Sequence, residues 1–113
     1  MVKYHRETKV LSAGDVEWFQ LDYTDLLDSG ESITGTPVVA EQTSSDLTIS
    51  SEQFNSSATV INGRSVSAGK AVQFLVSGQL AATERYSLHV TAITDSTPQR
   101  TIKRGVRFRV CNE

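Results

Sequence analysis

Leu21-Asp22-Tyr23-Thr24-Asp25-Leu26-Leu27-Asp28-Ser29-Gly30-Glu31-Ser32-Ile33 is the stretch that decides the reading of this chain. An alternating segment, Glu17–Tyr23, runs into it, with Phe19, Leu21 and Tyr23 on one side and Trp18, Gln20 and Asp22 on the other. That period of two is the mark of a half-buried strand. Four carboxylates follow at three-residue spacing: Asp22, Asp25, Asp28 and Glu31. Read as chemistry, the stretch is an acidic site. Read as architecture, it is a strand turning a corner, with Gly30 supplying the turn and room for a helical turn only at Asp25–Asp28.

Working outward, the same period recurs. Val72, Phe74 and Val76 share a face in 70–77, and Tyr86, Leu88, Val90 and Ala92 share one in 85–94, with His89 and Thr91 opposite. In 101–111, Ile102, Val106, Phe108 and Val110 face one way and Lys103, Arg107 and Arg109 the other. Shorter candidates lie at 8–11, 36–42, 46–50 and 59–61. Turn signals separate them, and Asn62-Gly63 is the strongest, a two-residue hairpin signal. Strands this short, with turns this frequent, predict an all-β fold, an antiparallel β-sandwich of about seven to eight strands. Residues 1–7 lack a pattern and read as an extended N-terminal arm. Residues 8–113 then form a single domain, a size that the 113-residue length allows. Ser and Thr supply about a quarter of the chain, which favours strands and turns over helices.

Composition removes several function classes. The net charge of −2 gives no global attraction to nucleic acid or to an anionic membrane, so neither is an expected partner. No apolar run approaches the ~18 residues of a membrane span. The first residues, Met1–Arg6, lack the apolar core of a secretory signal. Asn55-Ser56-Ser57 fits a glycosylation sequon but carries no weight without such a route. The single cysteine, Cys111, excludes an internal disulfide.

The acidic stretch lacks the D-x-D-x-D-G spacing of a calcium loop, and three-residue spacing along a strand sends alternate carboxylates to opposite faces. Paired carboxylates for sugar hydrolysis need a cleft that a domain this small seldom has. There is no G-x-S-x-G elbow, no phosphate loop and no Cys/His metal spacing. His5 and His89 have no nucleophile or acid at a recognisable spacing, and Cys111 has basic neighbours but no base. The expectation is a protein that is not an enzyme, with no catalytic residues, no metal and no cofactor. The charges are uneven, however. Acids crowd 15–31, and Arg100, Lys103, Arg104, Arg107 and Arg109 crowd the last strand. An acidic corner (Asp22, Asp25, Asp28, Glu31) and a basic strand (Lys103, Arg107, Arg109) are the candidate protein interfaces, complementary enough for copies to meet head to tail in a ring.

The stretch 21–33 also resembles the opening of small immunoglobulin-like virion proteins of tailed bacteriophages, in which a strand leads to D-Y/W-S/T-x-x-L and then G-E/D-x-I. Further resemblances follow in order: Leu47-Thr48-Ile49 and Phe54, Val72 to Gly78, Tyr86 to Thr94, and Val106 to Val110. Together they cover residues 15–111. Two departures stand out. Thr36-Pro37-Val38-Val39-Ala40 occupies the place of a frequent tryptophan, and 58–69 reads as an extra hairpin. The resemblance implies an immunoglobulin-like sandwich in the virion, assembled in the host cytoplasm. Its expected role is a structural adaptor joining tail and tail fibres, held by other virion proteins and by self-association in a ring or collar. Capsid decoration is one alternative. A carbohydrate- or receptor-binding module is another, for which Tyr4 and Trp18 are the candidate exposed aromatics.

Overall fold

The computed structural model describes residues 3–11, 14–42, 46–79 and 85–110, with 3–11 described as backbone only. Nine strands are found there: β1 (Lys3–Leu11), β2 (Glu17–Asp22), β3 (Ile33–Glu41), β4 (Thr48–Phe54), β5 (Thr59–Ile61), β6 (Arg64–Val66), β7 (Ala71–Ser77), β8 (Arg85–Thr94) and β9 (Thr101–Val110). They form a four-stranded sheet, β1-β9-β8-β3, a three-stranded sheet, β2-β7-β4, and a small β5-β6 hairpin. The neighbours β2-β7-β4 and β3-β8-β9 are those of the B-E-D and C-F-G strands of an immunoglobulin sandwich. The all-β sandwich expected from the alternation is therefore the fold.

Two details differ from expectation. β1 pairs with β9 in parallel, so the sheets are not wholly antiparallel. The strand also begins at Lys3, not Thr8: Lys3–Arg6 lie beside Arg104–Arg107, the register slips, and Val10 resumes opposite Arg109. Side-chain period reports burial of a strand, not the direction or identity of its neighbour, so neither feature was legible.

The alternating residues face the core as read. Phe19, Leu21, Phe74, Val76, Tyr86, Leu88, Val106 and Phe108 are all buried. Phe19 stacks on Phe74 within the smaller sheet at 5.6 Å, Tyr86 stacks on Phe108 within the larger one at 5.4 Å, and Phe19 meets Phe108 edge-on across the sheets at 5.1 Å. Such offset and edge-on pairs add to the burial term. Tyr86, at the start of β8, donates its hydroxyl hydrogen to Asp46 Oδ2 at 3.1 Å and so ties β8 to the β3–β4 connection.

The hairpin turn is the one the sequence announced. Asn62 and Gly63 both have positive φ, 52° and 79°, as a type I′ turn requires. Asn55 anchors the base of this insertion. Its Nδ2 donates to the carbonyls of Ser57 and Ser67, at 3.1 and 2.9 Å. Its Oδ1 accepts from the backbone N–H groups of Lys70 and Ala71, at 3.1 and 3.0 Å. The side chain is buried and both ends of the amide are engaged. The sequon match thus marks a structural amide, turned inward.

Candidate functional site

The acidic stretch folds into a braced corner. β2 ends at Asp22, whose Oδ1 accepts from Thr24 N–H (2.9 Å) and the Thr24 hydroxyl (2.6 Å). Capping a turn in this way is a common use of aspartate. One turn of 3-10 helix follows, Thr24–Leu26. Then Glu31 N–H donates to the Asp28 carbonyl (3.0 Å), while Asp28 N–H donates to Glu31 Oε1 (2.9 Å), closing a second turn in both directions. Because the strand stops at Asp22, the remaining carboxylates do not alternate between sheet faces. All four share one corner.

Basic side chains from distant parts of the chain converge there. Arg100 grips Glu31 as a fork, with Nε to Oε2 at 3.0 Å and Nη2 to Oε1, and Nη2 also donates to the Leu26 carbonyl at 3.0 Å. The same Nη2 lies 3.9 Å from Asp28 Oδ2. Arg64, on the hairpin, makes a second fork with Asp25, at 3.0 and 3.2 Å, and reaches Asp22 Oδ2 at 3.5 Å. Lys70 Nζ donates to the Glu31 carbonyl. Arg104 donates to the Asp22 carbonyl and stacks over the Tyr23 ring, 5.9 Å from its centroid. Planar, two-pronged pairing of this kind is the strong form of an ion pair.

The electrostatics follow from the geometry. The hydrogen bonds from Arg100, then that from Asp28 N–H, hold the Glu31 carboxyl far below the usual carboxylate range. Arg64 lowers Asp25 in the same way. Burial pushes the Tyr23 phenol well above its ordinary value, against the opposing charge of Arg104. Tyr23 donates its hydroxyl hydrogen to the Val90 carbonyl, 3.1 Å away across the two sheets.

The candidate interface residues therefore differ in availability. Glu31 is 4% exposed, and the Asp22 side chain is 18% exposed. The side chains of Asp25 and Asp28 are 81% and 80% exposed, but Asp25 is already forked by Arg64. On β9, by contrast, Lys103, Arg107 and Arg109 are all exposed. The basic run 100–109 is thus two groups. Arg100 and Arg104 turn to the corner, and the other three spread over the outside of the larger sheet. The parity of Arg104 with Ile102 and Val106 is the signal that separates it.

The outer face also carries a cation absent from the sequence reading. Arg85 begins β8 directly opposite Arg109, while Ser87 faces Arg107, and Thr91 faces Lys103. Its parity opposite to Tyr86 and Leu88 is the signal. Like charges directly opposite across strands cost stability. His89 is half-buried opposite Gly105 on this face. Trp18 is 44% exposed on the outer face of β2. The side chain of Tyr4 and the whole of Cys111 lie outside the described residues. Among the described residues, no three His, Cys, Asp or Glu side chains are placed to hold a metal ion. Comparison of the chain with family models, with curated proteins and with solved structures finds no match.

Proposed function

We propose that the chain is a structural protein of a tailed bacteriophage particle, an adaptor that joins tail and tail fibres through multivalent protein–protein contacts. Two observations support the reading. One is the resemblance over residues 15–111. The other, which carries the choice of surface, is the exposed cation face: Arg85 and Arg109 stand opposed on neighbouring strands, with Lys103 and Arg107 on the same side. A repulsion retained on a solvent face is accounted for if an anionic partner surface relieves it.

The corner contributes less to docking than its charge suggests, because Arg64 pairs with Asp22 and Asp25 and Arg100 with Asp28 and Glu31, while Lys70 and Arg104 bind backbone carbonyls of the same corner. The partner of the basic face is then an acidic patch on a neighbouring virion protein. Several such contacts in a ring or collar add into a stable joint even when each is moderate, and charge sets their register and encounter rate. Charge reversal of Arg107→Glu with Arg109→Glu, scored by incorporation into particles, tests the reading. Loss of incorporation is expected. Normal incorporation of the folded double variant removes this face from the interface.

A further inference from the structure

A groove separates the outer face of β2 and β7 from the β5–β6 hairpin. Trp18, Gln20 and Gln73 line one side, and Val60, Ile61 and Asn62 the other. Trp18 and Val60 are 44% and 64% exposed, a local concentration of apolar surface that water does not favour. Gln20 and Gln73 face each other in register, and Gln20 Nε2 lies 3.4 Å from Gln73 Oε1. Asn62 holds its place through the tight hairpin turn, so its amide is presented from a fixed backbone.

We infer that this groove is a binding subsite for a neutral carbohydrate, a hexose ring or an oligosaccharide of such rings. No lining side chain carries a charge, so an ionic ligand would lose its hydration without a counter-charge. A sugar ring has a weakly polar C–H face, which the exposed indole covers, and a rim of paired hydroxyls. Each carboxamide offers two N–H donors and two acceptor sites, so Gln20 and Gln73 keep capacity for ligand hydroxyls beyond their long mutual contact. An aromatic wall with a few convergent polar groups is the usual make-up of a small-ligand site. An extended peptide is the main competitor. It would draw on main-chain donors and acceptors, whereas this lining offers side-chain amides beside a broad ring. The inference is independent of the assembly role, since the basic face lies on the other sheet.

Trp18 is the sole tryptophan, so its emission reports this groove directly. The purified protein is titrated with methyl glycosides and short oligomers of glucose, galactose, mannose and N-acetylglucosamine. Sialyllactose and an uncharged extended peptide serve as comparisons. A saturable emission change with at least one neutral sugar is expected, and a weaker one or none with the charged sugar and the peptide. By calorimetry, Trp18→Ala and Gln73→Ala each weaken that binding about tenfold or more, while Trp18→Phe retains part of it. Both side chains face outward, so an unchanged melt verifies the fold of each variant. Silence across the neutral panel, equal sugar binding by Trp18→Ala, or tighter binding of the peptide would each overturn the inference.

Discussion

The corner at 22–31 and the basic face of β9 look alike as sequence, since each is a run of like charges. As structure they are opposites. The corner draws in Arg64, Arg100, Arg104 and Lys70 and spends its charge on closing the fold. The face keeps Lys103, Arg107 and Arg109 in solvent and places Arg109 against another arginine. The difference teaches that a charge run on a strand's outer face stays in solvent, whereas one at a turn is folded into the structure. On a regular strand the outward side chains are held apart from the core, whereas at a turn they meet whatever segment folds back.

If the corner is structural, damage there must show as lost stability. The largest effect is expected at the amide beneath it. Asn55→Ala removes four hydrogen bonds of a buried amide, to Ser57, Ser67, Lys70 and Ala71, though the Lys70 N–H keeps its bond to the Ser67 carbonyl, and denaturant unfolding should show a loss of about 3 kcal/mol. Glu31→Gln comes next and should lower the melting midpoint by several degrees, since Arg100 loses the charge it grips. Acidity sharpens this. Glu31 has a folded-state pKa below its unfolded one, so its contribution is complete above the ordinary glutamate range of about 4.3 and fades as the pH falls through and below it. Melts of the native protein should decline below about pH 4, and those of Glu31→Gln should be flatter across that window. An unchanged acid limb in the variant would break the assignment.

Tyr23→Phe should cost about 1 kcal/mol through the lost bond to the Val90 carbonyl. Its pKa is raised by burial, so the folded state binds the phenolic proton more tightly than the unfolded one. That contribution is present below about pH 10 and lost as the pH rises further, an alkaline decline that the phenylalanine variant should lack. The smallest effect belongs to the face. Arg109→Glu turns a like-charge pair into an opposite one and should raise stability by about 0.5 kcal/mol while reducing particle incorporation. A stability loss there comparable with that of Glu31→Gln would erase the contrast between the two regions.

Much of the fold was legible from residue parity. The elements Glu17–Asp22, Ala71–Ser77, Arg85–Thr94 and Thr101–Val110 follow the alternating segments closely, and the Asn62-Gly63 hairpin sits where its dipeptide placed it. These signals are local, because burial on one side of a strand and positive φ at a turn are properties of adjacent residues. The candidate surfaces were legible only in part. Lys103, Arg107 and Arg109 lie outward as their parity indicates. That Glu31 is buried was hidden, since its partner Arg100 is distant in sequence and looked like part of the basic stripe.

What the sequence by itself determined is therefore the long alternating strands, the inward rows of Phe19, Leu21, Phe74, Tyr86, Leu88 and Phe108, and the position of the main turns. Only the tertiary structure decided three things: that β1 runs parallel beside β9, that the four carboxylates meet one set of basic side chains, and that the hairpin stands across a groove from Trp18. The reason is physical. Periodicity encodes how each segment partitions between water and core, which a residue and its neighbours fix. Pairing direction and charge matching depend on which distant segments arrive together, and that is settled when the two sheets close on each other.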